Sequence, residues 1–420
     1  MAVEIATMRT SGPRIGLSWR GLLAAVLIAA LGWSGMVYAA NNSVQGAKKE
    51  EGGFDGDAPT AILIEASSGS VLFEKNADEL RAPSSMMKLM TAEVVFHAIK
   101  QGDVKLTDEY TVSENAWRKG GAPSGTSTMF AAIHSKIAVD DLLHGAIIQS
   151  GNDACMVLAE GMAGSEYTFA TEMMTKRARD LGLTQSTFAN SNGLPDPGNK
   201  MTVRELAKLA RYIIQTYPEF YKLFGEREFT WNKIRQQNRN PLLTSTLEGA
   251  DGLKTGYTKE GGYGMVGSAV QNGIRLIVVV NGLDDPDDRA TEAKKMLEWG
   301  FRNFEVRTLI AAQQPVGYAR VFGGDSRSVR LASSEPIKVM VQKNGTDKLI
   351  ARIVYDGPVR APIEAGQRIG FVKVWRGANL AVETPVYAAE AVGRGSTMRR
   401  AIDGVSELVI GMFRAGVEKL

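Results

Sequence analysis

The sequence predicts an α+β protein: an antiparallel sheet with a helical cluster, followed by a small all-β domain and a C-terminal amphipathic helix. Three observations predict it. Strand-like runs stand at both ends of residues 58–305, with helical periodicity between them. That order is expected when the first and last parts of a domain meet in one antiparallel sheet. From 306 to 395 the texture changes to short β-rich runs separated by turn residues. Residues 396–420 then return to helical spacing.

The chain opens with Arg9, Arg14 and Arg20 ahead of an uncharged run from Gly21 to Ala47 that contains Val37-Tyr38-Ala39. A basic n-region, an apolar stretch and a small residue at the cut read as a signal peptide, residues 1–39, cleaved after Ala39. The rival reading is an uncleaved membrane anchor, since the run approaches spanning length. Both take the rest of the chain out of the cytoplasm. Residues 40–57, polar and Gly-rich with both charge signs, read as a flexible linker.

At Thr60 the pattern becomes strand-like. AILIEA and SVLFEKN flank a turn with Gly69. A helix is expected from about Pro83 to Lys100, and further helices at 139–148, 153–163, 165–181 and 202–216. DGLKTGYT, YGMVGSAVQ and IRLIVVVNG return to strand patterning, the last two joined by the hairpin dipeptide Asn272-Gly273. A helix over 286–304 closes the region. The β-rich part contains SVRLAS, IKVMVQ, LIARIVY, RIGFVKVW and TPVYAAEAV. In the terminal helix Ile402, Val405, Val409, Met412, Phe413, Val417 and Leu420 share one face, with Asp403, Glu407, Arg414 and Glu418 opposite. Its charges make crossing a bilayer costly, whereas lying flat in the interface keeps them in water.

Composition narrows the functions. Lys and Arg exceed Asp and Glu by only 49 − 46 = 3, so no nucleic-acid partner is expected. One cysteine, Cys155, permits no internal disulfide and no cysteine-based zinc cluster. Histidine is confined to His97, His134 and His144, and the first and third fall within helical patterns. No metal or cofactor is expected.

Three short motifs carry chemistry. Ser85-Met86-Met87-Lys88 opens the first long helix. Residues three apart on a helix are neighbours, so Lys88 can reach the Ser85 hydroxyl. A serine is a poor nucleophile until a base takes its proton, and a desolvated lysine can be that base. Ser150-Gly151-Asn152 lies in a tight loop between apolar helices, where a hydroxyl and a carboxamide can relay a proton and bind a substrate amide. Ser113-Glu114-Asn115 matches the same pattern but is set aside, because no packed helix end is expected to fix it. Lys254-Thr255-Gly256 lies on a strand: the lysine and threonine can hold a carboxylate, and the glycine clears room for a close backbone approach. Taken singly, each has a plain structural reading as a helix cap, a surface lysine or a turn glycine. Together, in this order on helix start, loop and strand, they form the Ser-x-x-Lys, Ser-x-Asn and Lys-Thr-Gly set of penicillin-binding proteins and β-lactamases.

On these motifs, and on GTSTMF, QSGNDAC, DGLKTGYT and LEWGFRNFE, the chain resembles the low-molecular-mass penicillin-binding proteins, the serine-type D-alanyl-D-alanine carboxypeptidases. The likeness is closest over about 58–304 and extends to the β-rich domain and terminal helix. It implies a penicillin-binding, β-lactamase-like transpeptidase domain that trims D-alanine from peptidoglycan stem peptides and is acylated by β-lactam antibiotics. It implies Ser85 as nucleophile, Lys88 as base, and Ser150 and Asn152 as catalytic partners. Lys254, Thr255, Gly256 and Tyr257 would bind substrate, with the Ser85 and Tyr257 backbone N–H groups as oxyanion hole. Arg289 resembles an arginine near the substrate carboxylate, and Arg204 a position of less definite role. The family often has His where this chain has Tyr257. The expected location is the periplasm, with the enzyme attached to the outer face of the cytoplasmic membrane through residues 396–420. The alternatives are β-lactamase-like or DD-endopeptidase activity, or a non-catalytic envelope-binding module. The loop from Ser186 to Met201 contains no glutamate to activate a deacylating water, which weighs against the first.

Overall fold

The computed structural model describes residues 4–10, 53–345, 348–377, 379–398, 400–401 and 403–404. The apolar run of the expected leader and most of the terminal helix lie outside the described residues. Chain order begins with β1 (Glu4–Thr10), β2 (Thr60–Glu65) and β3 (Val71–Lys75). A single 3₁₀ turn, Ser84–Met87, leads directly into α1 (Lys88–Gln101). Next come β4 (Glu109–Thr111), α2 (Glu114–Gly120), β5 (Lys136–Ala138), α3 (Val139–Ile147) and α4 (Asn152–Ala163). The helix expected over 165–181 divides into α5 (Glu166–Thr168), a π-helical turn (Phe169–Met174) and α6 (Thr175–Asp180). Then follow α7 (Val203–Thr216), α8 (Pro218–Tyr221), and the small hairpin of β6 (Glu228–Trp231) and β7 (Ile234–Gln237). The domain closes with β8 (Ala250–Thr258), β9 (Gly262–Gln271), β10 (Ile274–Leu283) and α9 (Pro286–Asn303).

The sheet has the order β3-β2-β10-β9-β8, so the first and last parts of the domain do meet: Leu63 stands opposite Val278 in the antiparallel β2–β10 pair. Side chains alternate across the sheet. Ile62, Ile64, Ile277 and Val279 face a large core shared with α1, α3, α4 and α7. Leu63, Leu276, Val278 and Val280 face a second core under Met296 and Leu297 of α9. β2 and β10 are apolar on both faces because both are covered. α1 runs through the larger core, with ten of its fourteen residues buried.

The second unit contains β11 (Phe304–Ile310), β12 (Pro315–Phe322), β13 (Ser328–Ala332), β14 (Ile337–Gln342), β15 (Leu349–Asp356), β16 (Val359–Arg360), β17 (Arg368–Arg376) and β18 (Asn379–Ala388). Its main sheet has the order β1-β15-β17-β18-β13-β12-β16, with β11 and β14 paired apart. β15 alternates buried and half-buried positions, as a sheet with one covered face requires. The two units touch where Ser70 Oγ donates to Ala381 O (2.7 Å) and where the Arg376 guanidinium donates to Val71 O.

Two expected boundaries, the end of the linker and the start of the all-β unit, need correction. The linker does not run to 57: the Phe54 ring packs against Phe73 and Trp299 at 5.3 and 5.6 Å, because an aromatic beside an apolar face gains by leaving water. Glu4–Thr10, within the expected leader, lies as a strand parallel to β15, where an open edge offers unpaired backbone groups to an extended segment. The all-β unit begins before 306, since Phe304 and Glu305 already pair with Gln342 and Val341. Of the terminal helix, residues 397–404 are helical where described. Asp403 there accepts a hydrogen bond from Gly323 N (2.9 Å).

Candidate active site

The nucleophile turn is built by backbone. Ser84 adopts φ +51, Met86 N donates to Pro83 O (3.2 Å), and the Ser84 and Thr258 hydroxyls bond at 3.0 Å. Ser85 therefore stands in the 3₁₀ turn that leads into α1, three residues before its first residue, Lys88. The Lys88 ammonium nitrogen is 2% exposed as part of its residue and reaches three acceptors: Ser85 Oγ at 2.7 Å, Asn152 Oδ1 at 2.8 Å and the Asn192 carbonyl at 2.5 Å. Burial pushes its pKa down to about 8. Arg239 pushes the same way, while Cys155, Asp153 and Glu166 oppose it.

Asn152, first residue of α4, is held by Nδ2 donating to Thr126 Oγ1 (2.9 Å) and N donating to Ser127 O (2.8 Å). Asp153 pins the same loop, accepting from Thr128 Oγ1 (2.5 Å), Met129 N (3.0 Å) and Ala131 N (3.1 Å). Thr126–Met129 belong to GTSTMF, so that string supplies the wall behind Asn152. Ser150 is buried in the intervening loop at φ +64. No hydrogen bond joins its hydroxyl to Lys88 or Ser85 among the described residues. Ser113, by contrast with its expected setting, does cap a helix: its Oγ accepts from Ala116 N (2.9 Å), and Asn115 donates to Glu160 (2.8 Å). That motif's groups are spent there, which sets it aside on firmer grounds.

Lys254 lies on β8, 2% exposed, and among the described residues its ammonium hydrogen-bonds to the carbonyl of Thr255 at 3.3 Å. Burial drives its pKa well below the ordinary lysine range, and Lys88, Arg239 and Arg289 push the same way. Among the described residues no carboxylate forms a salt bridge with Lys254, Arg239 or Arg289, and such a cluster of cations can receive an anion. Arg239 is the residue that sequence reading missed. It follows the β6–β7 hairpin, its N donates to Ile148 O, and its guanidinium has no bonded partner among the described residues. Arg289, on α9, lies over the Tyr263 ring at 5.5 Å with its Nε buried and unpaired. Tyr263 in turn stacks on Tyr257 (4.1 Å), which is 53% exposed at the mouth of the site. Arg204 is elsewhere, paired with Glu74 (2.6 Å) and Asp78 (2.7 Å).

Two glycines set the spacing. A Cβ on Gly256 would meet Pro83 O at 3.0 Å and Met86 N at 3.1 Å. The residue expected to admit substrate backbone thus also lets β8 lie against the nucleophile turn. Gly193, at φ +81, would place a Cβ 2.0 Å from Ser84 O. It brings the Asn192 carbonyl to Lys88 and was not singled out in the sequence. Cys155 is fully buried, and burial pushes its thiol up to about 12, so at neutral pH it behaves as a small apolar residue. Among the described residues no group of three or more His, Cys, Asp and Glu side chains is placed to hold a metal ion.

Chemically, this is a hydroxyl beside a lysine of depressed pKa, a carboxamide on the same lysine, and a cationic pocket along the neighbouring strand. Comparison with known proteins agrees. The D-alanyl-D-alanine carboxypeptidase model of peptidase S11 matches residues 45–285, and the C-terminal domain model of penicillin-binding protein 5 matches 304–394. The chain is 41% identical to the D-alanyl-D-alanine carboxypeptidase DacC of Escherichia coli K12, over 83% of this chain and 88% of that one. It is 38% identical to the DacA carboxypeptidase of Haemophilus influenzae, over 75% and 80%. Among solved structures, penicillin-binding protein 5 from Haemophilus influenzae superposes with a TM-score of 0.71 at 35% identity, covering 81% of this chain and 99% of that one. Penicillin-binding protein D2 from Listeria monocytogenes in its cefotaxime-bound form gives 0.54 at 28% identity, covering 59% and 99%. With the family model spanning more than half the chain, this protein belongs to the D-alanyl-D-alanine carboxypeptidase family of serine peptidases.

Proposed function

We propose that this carboxypeptidase removes the terminal D-alanine from peptidoglycan pentapeptides through an acyl-ester on Ser85, with Lys88 as general base. The observation that carries the reading is the 2.7 Å contact between Lys88 Nζ and Ser85 Oγ, made by a lysine that burial depresses to about 8. Neutral Lys88 takes the hydroxyl proton as Oγ attacks the penultimate carbonyl. The backbone N–H groups of Ser85 and Tyr257 receive the oxyanion. The close packing of β8 on the nucleophile turn at Gly256 supports that assignment. Lys88 then returns the proton to the departing D-alanine nitrogen, and water hydrolyses the ester. Lys254, with Arg239 beside it, holds the terminal carboxylate, and Arg289 adds positive charge through its place above Tyr263. Asn152 orients Lys88 and the substrate amide, and Ser150 turns toward the substrate once it is bound.

The reading is tested by incubation with labelled penicillin and mass spectrometry of the labelled peptide. The expected adduct is on Ser85. An adduct on another serine, or none with folded protein, overturns the mechanism.

The enzyme works on the outer face of the cytoplasmic membrane. The leader pattern of residues 1–39 and the apolar face of residues 396–420 support this placement. No helix among the described residues is long and apolar enough to cross a membrane.

A further inference from the structure

The Lys88 array depends on one backbone carbonyl, that of Asn192, and that carbonyl is held by a carboxylate far away in sequence. Glu166, first residue of α5, accepts three hydrogen bonds at Oε1: from Ser191 Oγ at 2.7 Å, Asn192 Nδ2 at 2.8 Å and Ser191 N at 3.1 Å. The two residues it grips turn their carbonyls toward α1. Ser191 O accepts from Thr91 Oγ1, and Asn192 O accepts from Lys88 Nζ, both at 2.5 Å. Thr91 lies one helical turn beyond Lys88, so the segment is braced against the same helix at two points. On its far side Asn190 Oδ1 accepts from Gly193 N (2.8 Å), and Gly193 packs on Ser84 O. The segment is therefore fixed between the nucleophile turn and Glu166.

We propose that Glu166 is a positioning residue for the general base, holding the Asn192 carbonyl against Lys88 Nζ in the geometry from which Lys88 takes the Ser85 proton. This rests on the mechanism above, in which Lys88 is the base. The titratable groups that face Lys88 come from every side of the site: Arg239, Asp153, Glu166 and the neutral Cys155 thiol. Lys254 also faces it, across the strand. Of these, the two carboxylates favour protonated Lys88. Asp153 spends both oxygens on the Thr128–Ala131 loop and its own helix, leaving Glu166 as the carboxylate tied to a Lys88 ligand.

Two consequences have definite signs. Loosening the carbonyl lowers the plateau rate of acylation. Removing the negative charge favours neutral Lys88 and moves the acid limb of the rate profile to lower pH. A carboxylate that only helped the loop fold would reduce the amount of active enzyme and change neither quantity per active molecule.

The experiment measures acylation by a fluorescent penicillin from pH 5 to 9 on the full chain, per active site counted by stoichiometric labelling. The proteins are wild type, Glu166→Gln, Glu166→Asp and Ser191→Ala. Glu166→Gln keeps the size and an acceptor oxygen, which guards against loss of the fold. It should lower the plateau by about tenfold and shift the acid limb down by about half a pH unit. Glu166→Asp should restore the limb in part. Ser191→Ala, which removes one of the three donors, should lower the plateau less and leave the limb in place. An unchanged plateau and limb in Glu166→Gln overturns the proposal. So does normal acylation with a longer-lived adduct, which would assign Glu166 to the deacylating water. If wild type itself is not acylated at Ser85, the mechanism beneath the proposal fails first, and the two failures are told apart.

Discussion

The depressed pKa of Lys88 fixes the pH dependence of the first chemical step. With a pKa of about 8, the neutral, proton-accepting fraction is about 0.01 at pH 6, about 0.09 at pH 7 and about 0.5 at pH 8. A lysine at its ordinary value would be neutral in only about 0.0003 of molecules at pH 7, so burial raises the competent population roughly 300-fold. The second-order rate of penicillin acylation should therefore climb about tenfold per unit from pH 5.5 to 7 and about 50-fold from pH 6 to 8. The assay is stopped-flow or gel-based acylation by a fluorescent penicillin at constant ionic strength. Lys88→Arg should lose at least ~10²-fold throughout, since a guanidinium stays protonated. A profile level between pH 6 and 8 would refute the reasoning, as would an acid limb that survives intact in Lys88→Arg, for the limb would then belong to another group.

Carboxylate recognition by the cationic pocket is the proposed basis of exopeptidase action. Amidating the terminal carboxyl of a D-Ala-D-Ala peptide should remove most D-alanine release, and Lys254→Ala should raise KM about tenfold or more, whereas equal turnover of the amidated peptide would contradict carboxylate recognition. Gly193→Ala puts a side chain on a left-handed residue against a backbone oxygen that cannot move aside. It should cost about 1–3 kcal/mol from the backbone conformation alone, seen as a lower thermal midpoint, and should suppress acylation by pulling Asn192 O from Lys88; a normal midpoint and rate would show that the loop yields freely. Deleting residues 396–420 should release protein that still binds penicillin, and its continued sedimentation with membranes after leader cleavage would place the anchor elsewhere.

What could be read from the sequence follows a physical division. Ser85, Lys88 and Lys254 were legible because their three motifs occur together, in order, on a helix start, a loop and a strand, although each alone has a plain structural reading. The sheet was legible because β2 and β10 are apolar on both faces, which only a covered central strand tolerates. Arg239 was not legible: an arginine after a short polar hairpin looks solvated, and only the fold turns it toward Lys254. Phe54 was hidden by its polar neighbours, although its ring settles on Trp299. Asn192 was beyond reach for a deeper reason. It serves the base through its carbonyl, which every residue possesses, so side-chain identity carries no trace of that role. What the sequence does hold is what must surround such a carbonyl to keep it in place. Gly193 alone permits the approach to Ser84, and Glu166 collects the amide and hydroxyl donors of Ser191 and Asn192. A backbone ligand of a catalytic lysine is thus written in its supports, and those can be recognised only once the chain segments that carry them, around 166 and 191, are brought together.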